Sequence, residues 1–312
     1  MSAATRPDRR LRTGIVPLTP FTSLDDWRTR VRAVDEQGHD VLLMADHVGM
    51  VAPLPPLVAA AAVSERLRFG VQVLNNEFWN PLLLAREAAT ADILTAGRLE
   101  LGFGAGHAAV EFAAAGLAYD RPRLRIDRLA AAVPLVRTLL AGGTVDVDAT
   151  YGLEAASLGF AAAQPGIPVM VGGNGDRVLR LAAEQADIVG LTGFTSGTGR
   201  THTDLSHFTW DGLADRIDHV RRHAGERFAD LELSVLVQAV RRSDDRRAMA
   251  VEFAQGMIED VGALLDSPFL LLGTDDERTA QVARLRDEMG VTYVTTFEPG
   301  AEALAAAVAP LR

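Results

Sequence analysis

An acid beside a histidine, Asp46–His47, closes the apolar run Val41–Ala45. Histidine titrates near neutrality and an adjacent carboxylate tunes it, so the pair suits proton transfer. The same two residues would also serve as a helix cap and a hydrogen-bonded surface imidazole. A second chemical signal is GGNGDR at Gly172–Arg177. Glycines that feed a helix N-terminus leave backbone N–H groups unpaired and let an oxyanion approach, and Arg177 in the first turn adds a bidentate charge. A phosphate is the simplest guest, although glycines at a strand-to-helix junction also serve plain turn geometry. GFGAG at Gly102–Gly106 is a poor dinucleotide fingerprint: its third glycine comes one residue early, and no acid ends a strand about twenty residues later. These glycines instead leave room for a flat ring against the backbone. His107 and Glu111, four apart on a helix, could join His47 at a metal, but that spacing is common and no metal is assigned.

The elements that must position these residues alternate. Apolar strands are predicted at Thr13–Leu18, Val41–Ala45, Arg68–Asn75, Arg98–Phe103, Pro168–Val171, Ile188–Leu191, Leu233–Val240 and Val291–Phe297. Helical patterns separate them: one capped by Ser23 with Trp27, Val31 and Val34 inward, then Leu54–Ser64, Pro81–Leu94, His107–Ala115, Leu124–Ala141, one after Gly175, Asp211–Ala224, Asp244–Leu265, Asp275–Met289 and Ala301–Val308. Continuous apolar strands between helices indicate a parallel sheet covered on both faces. Eight of them predict an α/β protein of the (β/α)8 TIM-barrel class, one domain over residues 13–312, with insertions at the C-terminal face and a flexible tail over 1–12. Thr144–Tyr151 reads as an extended excursion, and the polar stretch Thr192–Thr209 as a lid-like loop. Barrel enzymes work at the C-terminal ends of their strands, which selects Asp46 and His47, Leu74 to Asn76, Gly104 to His107, and Gly172 to Arg177.

Composition excludes several chemistries. The formal net charge of −10 argues against nucleic acid or an anionic membrane as partner, and no run of eighteen apolar residues is present to span a bilayer. All 31 basic residues are arginine, which removes Schiff-base chemistry and a Walker-type phosphate loop. The absence of cysteine removes disulfides, thiolate nucleophiles and iron–sulfur sites. The polar start MSAATRPDRRLR is unlike a signal peptide, so cytoplasmic residence is expected.

Taken together, ADH at Ala45–His47, NNEFWNPLLLAREAATADILTAGRLELGFGAGH from Asn75 to His107, PVMVGGNGDRVLRLAAEQADIVGL from Pro168 to Leu191, LELSVLVQAV at Leu231–Val240 and SPFLLLGTDDE at Ser267–Glu277 resemble the luciferase-like monooxygenase superfamily, in particular its deazaflavin-dependent oxidoreductases. The resemblance spans nearly the whole chain. It implies coenzyme F420, or less often FMN, across the barrel mouth, and a non-prolyl cis peptide within Gln72–Asn75 that sets Val73, Leu74 and Asn75 behind the ring. It further implies that Asp46 contacts the ring, that His47 is an acid or base at the reacting carbon, that Ala105 and Gly106 lie beside the ring, and that Gly172, Gly173, Asn174 and Arg177 hold the phosphate. Two departures matter. Ala105 and Val110 stand where some relatives carry polar cofactor contacts, and the lysines that hold a sugar phosphate in glucose-6-phosphate-oxidising relatives have no counterpart. The expectation is an F420-dependent oxidoreductase, a homodimer acting on a small-molecule or peptide-borne substrate by reduction of an activated C=C, C=N or C=O bond. An FMN-dependent monooxygenase and a non-catalytic flavin- or phosphate-binding barrel are the alternatives.

Overall fold

Short runs rich in Val, Ile and Leu pair edge to edge and close on themselves. A computed structural model describes residues 9–196, 203–204, 206–254 and 261–312. Its eight barrel strands are β1 (Arg12–Val16), β2 (Val41–Met44), β3 (Arg68–Asn75), β4 (Leu99–Gly104), β5 (Val169–Gly173), β6 (Ile188–Leu191), β7 (Glu232–Val237) and β8 (Val291–Phe297). All pair in parallel, each with its sequence neighbours, and β8 returns to β1 to close the barrel. Closure leaves no free edge, and the helices between strands cover the outside, which is why both faces of each strand are apolar.

The helices form where caps and periodicity agree. In α1 (Leu24–Glu36), the Ser23 side chain accepts from the Asp26 amide, and Trp27, Val31 and Val34 are buried. Trp27 finds a partner for its indole N–H in the Pro56 carbonyl, 2.9 Å away, in α2 (Leu54–Ala61). Asn80 caps α3 (Pro81–Leu94), with proline at its first position where no amide is needed. The remaining helices that bear on the site are α4 (Ala109–Ala114), α5 (Pro122–Leu140), α6 (Asp176–Gln185) and α7 (Trp210–Ala224).

Four boundaries differ from the sequence reading. The first strand begins at Arg12, so the far end of the expected 1–12 tail is part of the barrel; residues 1–8 lie outside the described ones. The run Leu233–Val240 is two strands. After Val237 the chain leaves the barrel, and Ala239–Arg242 pairs in parallel with Leu270–Gly273 as a side sheet. Thr144–Asp148 is one arm of an antiparallel hairpin whose other arm is Leu153–Ser157. The helix expected over Asp244–Leu265 is described as Arg246–Ala254 and Val261–Leu265, residues 255–260 lying outside the described set. Much of the loop expected to be a lid, residues 197–202 and 205, also lies outside it.

Two apolar layers result: the large one between strands and helices, and a smaller cluster of Val16, Val41, Leu43, Ala45, Met170, Ile188 and Tyr293 in the barrel interior. At the N-terminal end the interior is plugged by charge. Arg12 lies between Glu100 and Glu232, both at 2.6 Å, and stacks 3.8 Å over the Tyr293 ring, while Arg68 reaches Glu100 from β3.

Candidate functional site

The C-terminal ends of β2 and β3 are tied together by Asp46. Its Oδ2 accepts from the Asn75 amide at 3.0 Å and from the Trp79 indole at 2.9 Å. Burial pushes the Asp46 carboxyl above its usual range, and these two donors oppose that. The peptide between Gln72 and Val73 is cis, within the segment the resemblance marked, and the pairing of β3 with β4 shifts register between Val71 and Leu74. Val73 then packs on the interior cluster where β4 and β5 offer glycine. A Cβ on Gly104 would stand 2.6 Å from Val73 Cγ2, and one on Gly172 or Gly102 would stand 3.0 Å from Cγ1. Gly106 meets a similar limit. Its φ is +71°, and a Cβ there would lie 2.4 Å from Asn75 Oδ1, so the ends of β3 and β4 approach as only glycine permits. Asn75 Oδ1 is also held by the Glu77 amide at 3.2 Å.

His47 is brought beside Glu111 of α4, with Nδ1 2.7 Å from Oε1. The His107 ring meets it edge-on, 5.7 Å between centroids. Burial, and then the neighbouring His47, lower the pKa of His107. His47, His107 and Glu111 therefore converge, but no group of three His, Cys, Asp or Glu with metal-holding geometry occurs among the described residues. Backbone at Ala105 and Gly106 is fixed from outside: Arg125, almost fully buried, donates to both carbonyls at 3.0 and 3.2 Å. Its guanidinium also lies 4.2 Å over the Tyr119 ring, and the Tyr119 hydroxyl donates to the His107 carbonyl at 2.9 Å.

At the end of β5, a Cβ on Gly173 would strike Val178 Cγ1 at 2.5 Å, and Asn174 is buried beneath the turn. The Asn174 amide nitrogen lies 3.3 Å from Nδ1 of His207, while its Oδ1 has no partner among the described residues. The Arg177 guanidinium is engaged by Asp127 of α5 at 2.6 Å, with both side chains about half exposed. Arg216 of α7 is likewise held, by Asp176 and Asp215.

Sequence reasoning brought Asp46, His47, Val73, Asn75, Gly106 and Gly172 to one end of the barrel, together with Leu74, which is fully buried, and Ala105. It missed Trp79 and Arg125, and singled out Glu111 by name only as a metal ligand. Trp79 lies four residues beyond the third strand and carried a detectable signal; Arg125 sits inside a helix, and nothing local marks it as facing the site. A cavity of about 420 Å³ lies at the opposite end, lined by Arg12, Glu100, Asp187 and Glu232. Barrel chemistry sits at the C-terminal face, so this cavity belongs to the stabilising plug.

Residues 1–288 match the luciferase-like monooxygenase family model. The chain is 34% identical over 178 residues to an F420-dependent glucose-6-phosphate dehydrogenase of Nocardia farcinica, covering 53% of this chain and 51% of that protein. It is 31% identical over 159 residues to a 5,10-methylenetetrahydromethanopterin reductase of Archaeoglobus fulgidus, covering 50% and 46%. The chain thus spans about half the length of these curated relatives. Among solved structures, the coenzyme F420 dependent tetrahydromethanopterin reductase of Methanopyrus kandleri superposes with a TM-score of 0.74 over 97% of this chain and 99% of that one, at 16% identity, which speaks to the fold. With a family match over most of its length and the same closed barrel, the chain belongs to the luciferase-like monooxygenase family.

Proposed function

We propose that the chain is an oxidoreductase that moves a hydride between coenzyme F420 and an organic substrate, small or peptide-borne, reducing an activated C=C, C=N or C=O bond. The observation that carries this reading is the convergence of Asp46 and the His47–Glu111 pair at the C-terminal mouth of the barrel. Gly104, Gly106 and Gly172 give up their Cβ positions to Val73 and Asn75, so the end of β3 closes on β4 and β5 as a wall against which a flat ring can lie. The Oδ1 of buried Asn174 also fits, as an acceptor that lacks a donor among the described residues.

When bound, the deazaflavin supplies or accepts the hydride; the protein supplies orientation, a proton route and exclusion of water. Asp46, fixed by Trp79 and the Asn75 amide, holds the ends of β2 and β3 in register. His47 gives or takes the proton that balances the hydride. Gly172, Gly173, Asn174 and the first amides of α6 receive the phosphate, with Arg177 joining them by leaving Asp127. The missing lysines direct the reading away from a sugar phosphate substrate. No helix among the described residues is long and apolar enough to cross a membrane, in keeping with a cytoplasmic enzyme, and we infer a homodimer from the frequency of twofold assemblies.

Titration of the purified protein with F420 and with FMN, followed by single-turnover assays against a panel of enones, imines and ketones, tests the reading. F420 binding with substrate-dependent oxidation of the reduced cofactor is expected. FMN binding with oxygen consumption would replace it by a monooxygenase, and tight binding without hydride exchange by a silent barrel.

A further inference from the structure

We propose that Glu111 is the positioning residue of His47: its carboxylate fixes the imidazole as the Nδ1–H tautomer, so that proton exchange with substrate runs through Nε2. The inference rests on the proposed function only in giving His47 a proton to transfer.

A carboxylate accepts hydrogen bonds and has none to donate, so the ring nitrogen 2.7 Å from Oε1 must carry the proton. A neutral imidazole has one N–H, which leaves a bare lone pair at Nε2. The second carboxylate oxygen lies 3.4 Å from the Val48 amide, so a single side chain clamps two successive residues at the end of β2. Glu111 is itself mostly buried. It is held in reach by the next residue of α4, Phe112, whose fully buried ring packs on Phe78 and Tyr119 at 5.6 and 5.0 Å.

Three other charged or titratable groups bear on this pair. Asp46 precedes His47 but is committed to Trp79 and Asn75. His107 lies edge-on with its pKa lowered by burial, and Arg125 behind His107 is committed to backbone carbonyls. None of them supplies an acceptor to Nδ1; Glu111 does. In the reductive direction the substrate gains a hydride from the reduced deazaflavin, which is left oxidised, and a proton from Nε2 of the imidazolium. His47 returns to its neutral Nδ1–H form, Glu111 stays ionised, and solvent restores the proton at the part-exposed ring.

The test needs no cofactor. In protein labelled with ¹⁵N-histidine, long-range ¹H–¹⁵N correlations at alkaline pH report the tautomer, and His47→Gln identifies the resonance. The expected result is Nδ1–H in the wild type and in Glu111→Gln, whose amide oxygen still accepts, with reversion to Nε2–H in Glu111→Ala. An Nε2–H tautomer in the wild type, or a Glu111→Ala spectrum identical to wild type, overturns the proposal. If Glu111→Ala does not fold, the wild-type tautomer decides alone. Failure of the wild type to bind F420 would remove the proposed reaction and leave the tautomer assignment standing.

Discussion

Trp79 donates its indole N–H to Oδ2 of Asp46 at 2.9 Å, joining the residue that follows the short helical turn after β3 to the acid that ends β2. The same oxygen takes the Asn75 amide, so one carboxylate satisfies two donors that would otherwise be stranded near the barrel mouth. A buried donor without a partner costs roughly 1–3 kcal/mol. Asp46→Ala is therefore expected to lower stability by about 2 kcal/mol or more, read as a shift in denaturant midpoint, whereas Asp46→Asn retains an acceptor.

The Asp46 and Asn variants should also differ with pH. Burial raises the folded-state pKa of Asp46, so the protonated acid is the form the fold favours. That contribution is fully present below the unfolded value and lost as pH rises through the folded one. Asp46→Asn, always neutral, should gain stability relative to wild type as pH climbs through this window. A stability difference that stays flat from acid to neutral pH would show that the two donors fully offset the burial.

His39 provides a titration with the opposite sign. It is fully buried between the Thr13 hydroxyl at 2.9 Å and the Ala301 carbonyl at 3.1 Å, and burial lowers its pKa to about 4. Its contribution is complete above the unfolded value and disappears as pH falls towards the folded one, amounting to roughly 3 kcal/mol at about 1.4 kcal/mol per pH unit. Thermal melts of the wild type should fall across that interval, and His39→Gln should flatten the dependence.

Arg12 lies between two nearly buried carboxylates at the end of the barrel away from the site. Removing one partner of a buried ion cluster leaves uncompensated charge and costs roughly 3–5 kcal/mol. Arg12→Met should therefore cost several kcal/mol in urea unfolding while leaving cofactor affinity in the folded protein within about twofold of wild type. A large change in affinity would mean that the plug and the mouth are coupled.

Arg177 and Asp127 give a test of the anion site. An exposed ion pair is worth about 0–1 kcal/mol, so Asp127→Asn should leave stability nearly unchanged. It should release Arg177 and tighten cofactor binding a few-fold, and Arg177→Ala should weaken binding more than it alters turnover at saturating cofactor. If neither variant moves the titration curve, Arg177 is a surface pair only.

For His47, loss of a general acid or base lowers turnover by about 10²–10⁴. His47→Gln should show a loss on that scale in kcat with cofactor affinity little changed, measured by stopped-flow oxidation of the reduced cofactor.

The barrel was legible in the residue order because each strand is a run buried on both faces and each helix carries a stripe. Val41–Met44 or Ile188–Leu191 has no other stable place to go. Chain order and the barrel rule together put Asp46, His47, Gly106 and Gly172 at one end before any coordinate was needed. Val237 was a different matter. The apolar run continues past it, and only the partner strand Leu270–Gly273 decides where the barrel strand stops.

Side-chain commitments were settled by folding alone. Glu111 stands 64 residues from His47, and Asp127 stands 50 from Arg177; no local pattern records which carboxylate each will meet. Periodicity and turn chemistry act over a few residues and fix elements, whereas hydrogen bonds and ion pairs depend on distances of a few ångströms that exist only once the barrel has closed. Thus the sequence determined that an acid, an imidazole and a glycine turn would share a mouth. The tertiary structure decided that Asp46 belongs to Trp79, that Arg177 rests on Asp127, and that His47 is held by Glu111.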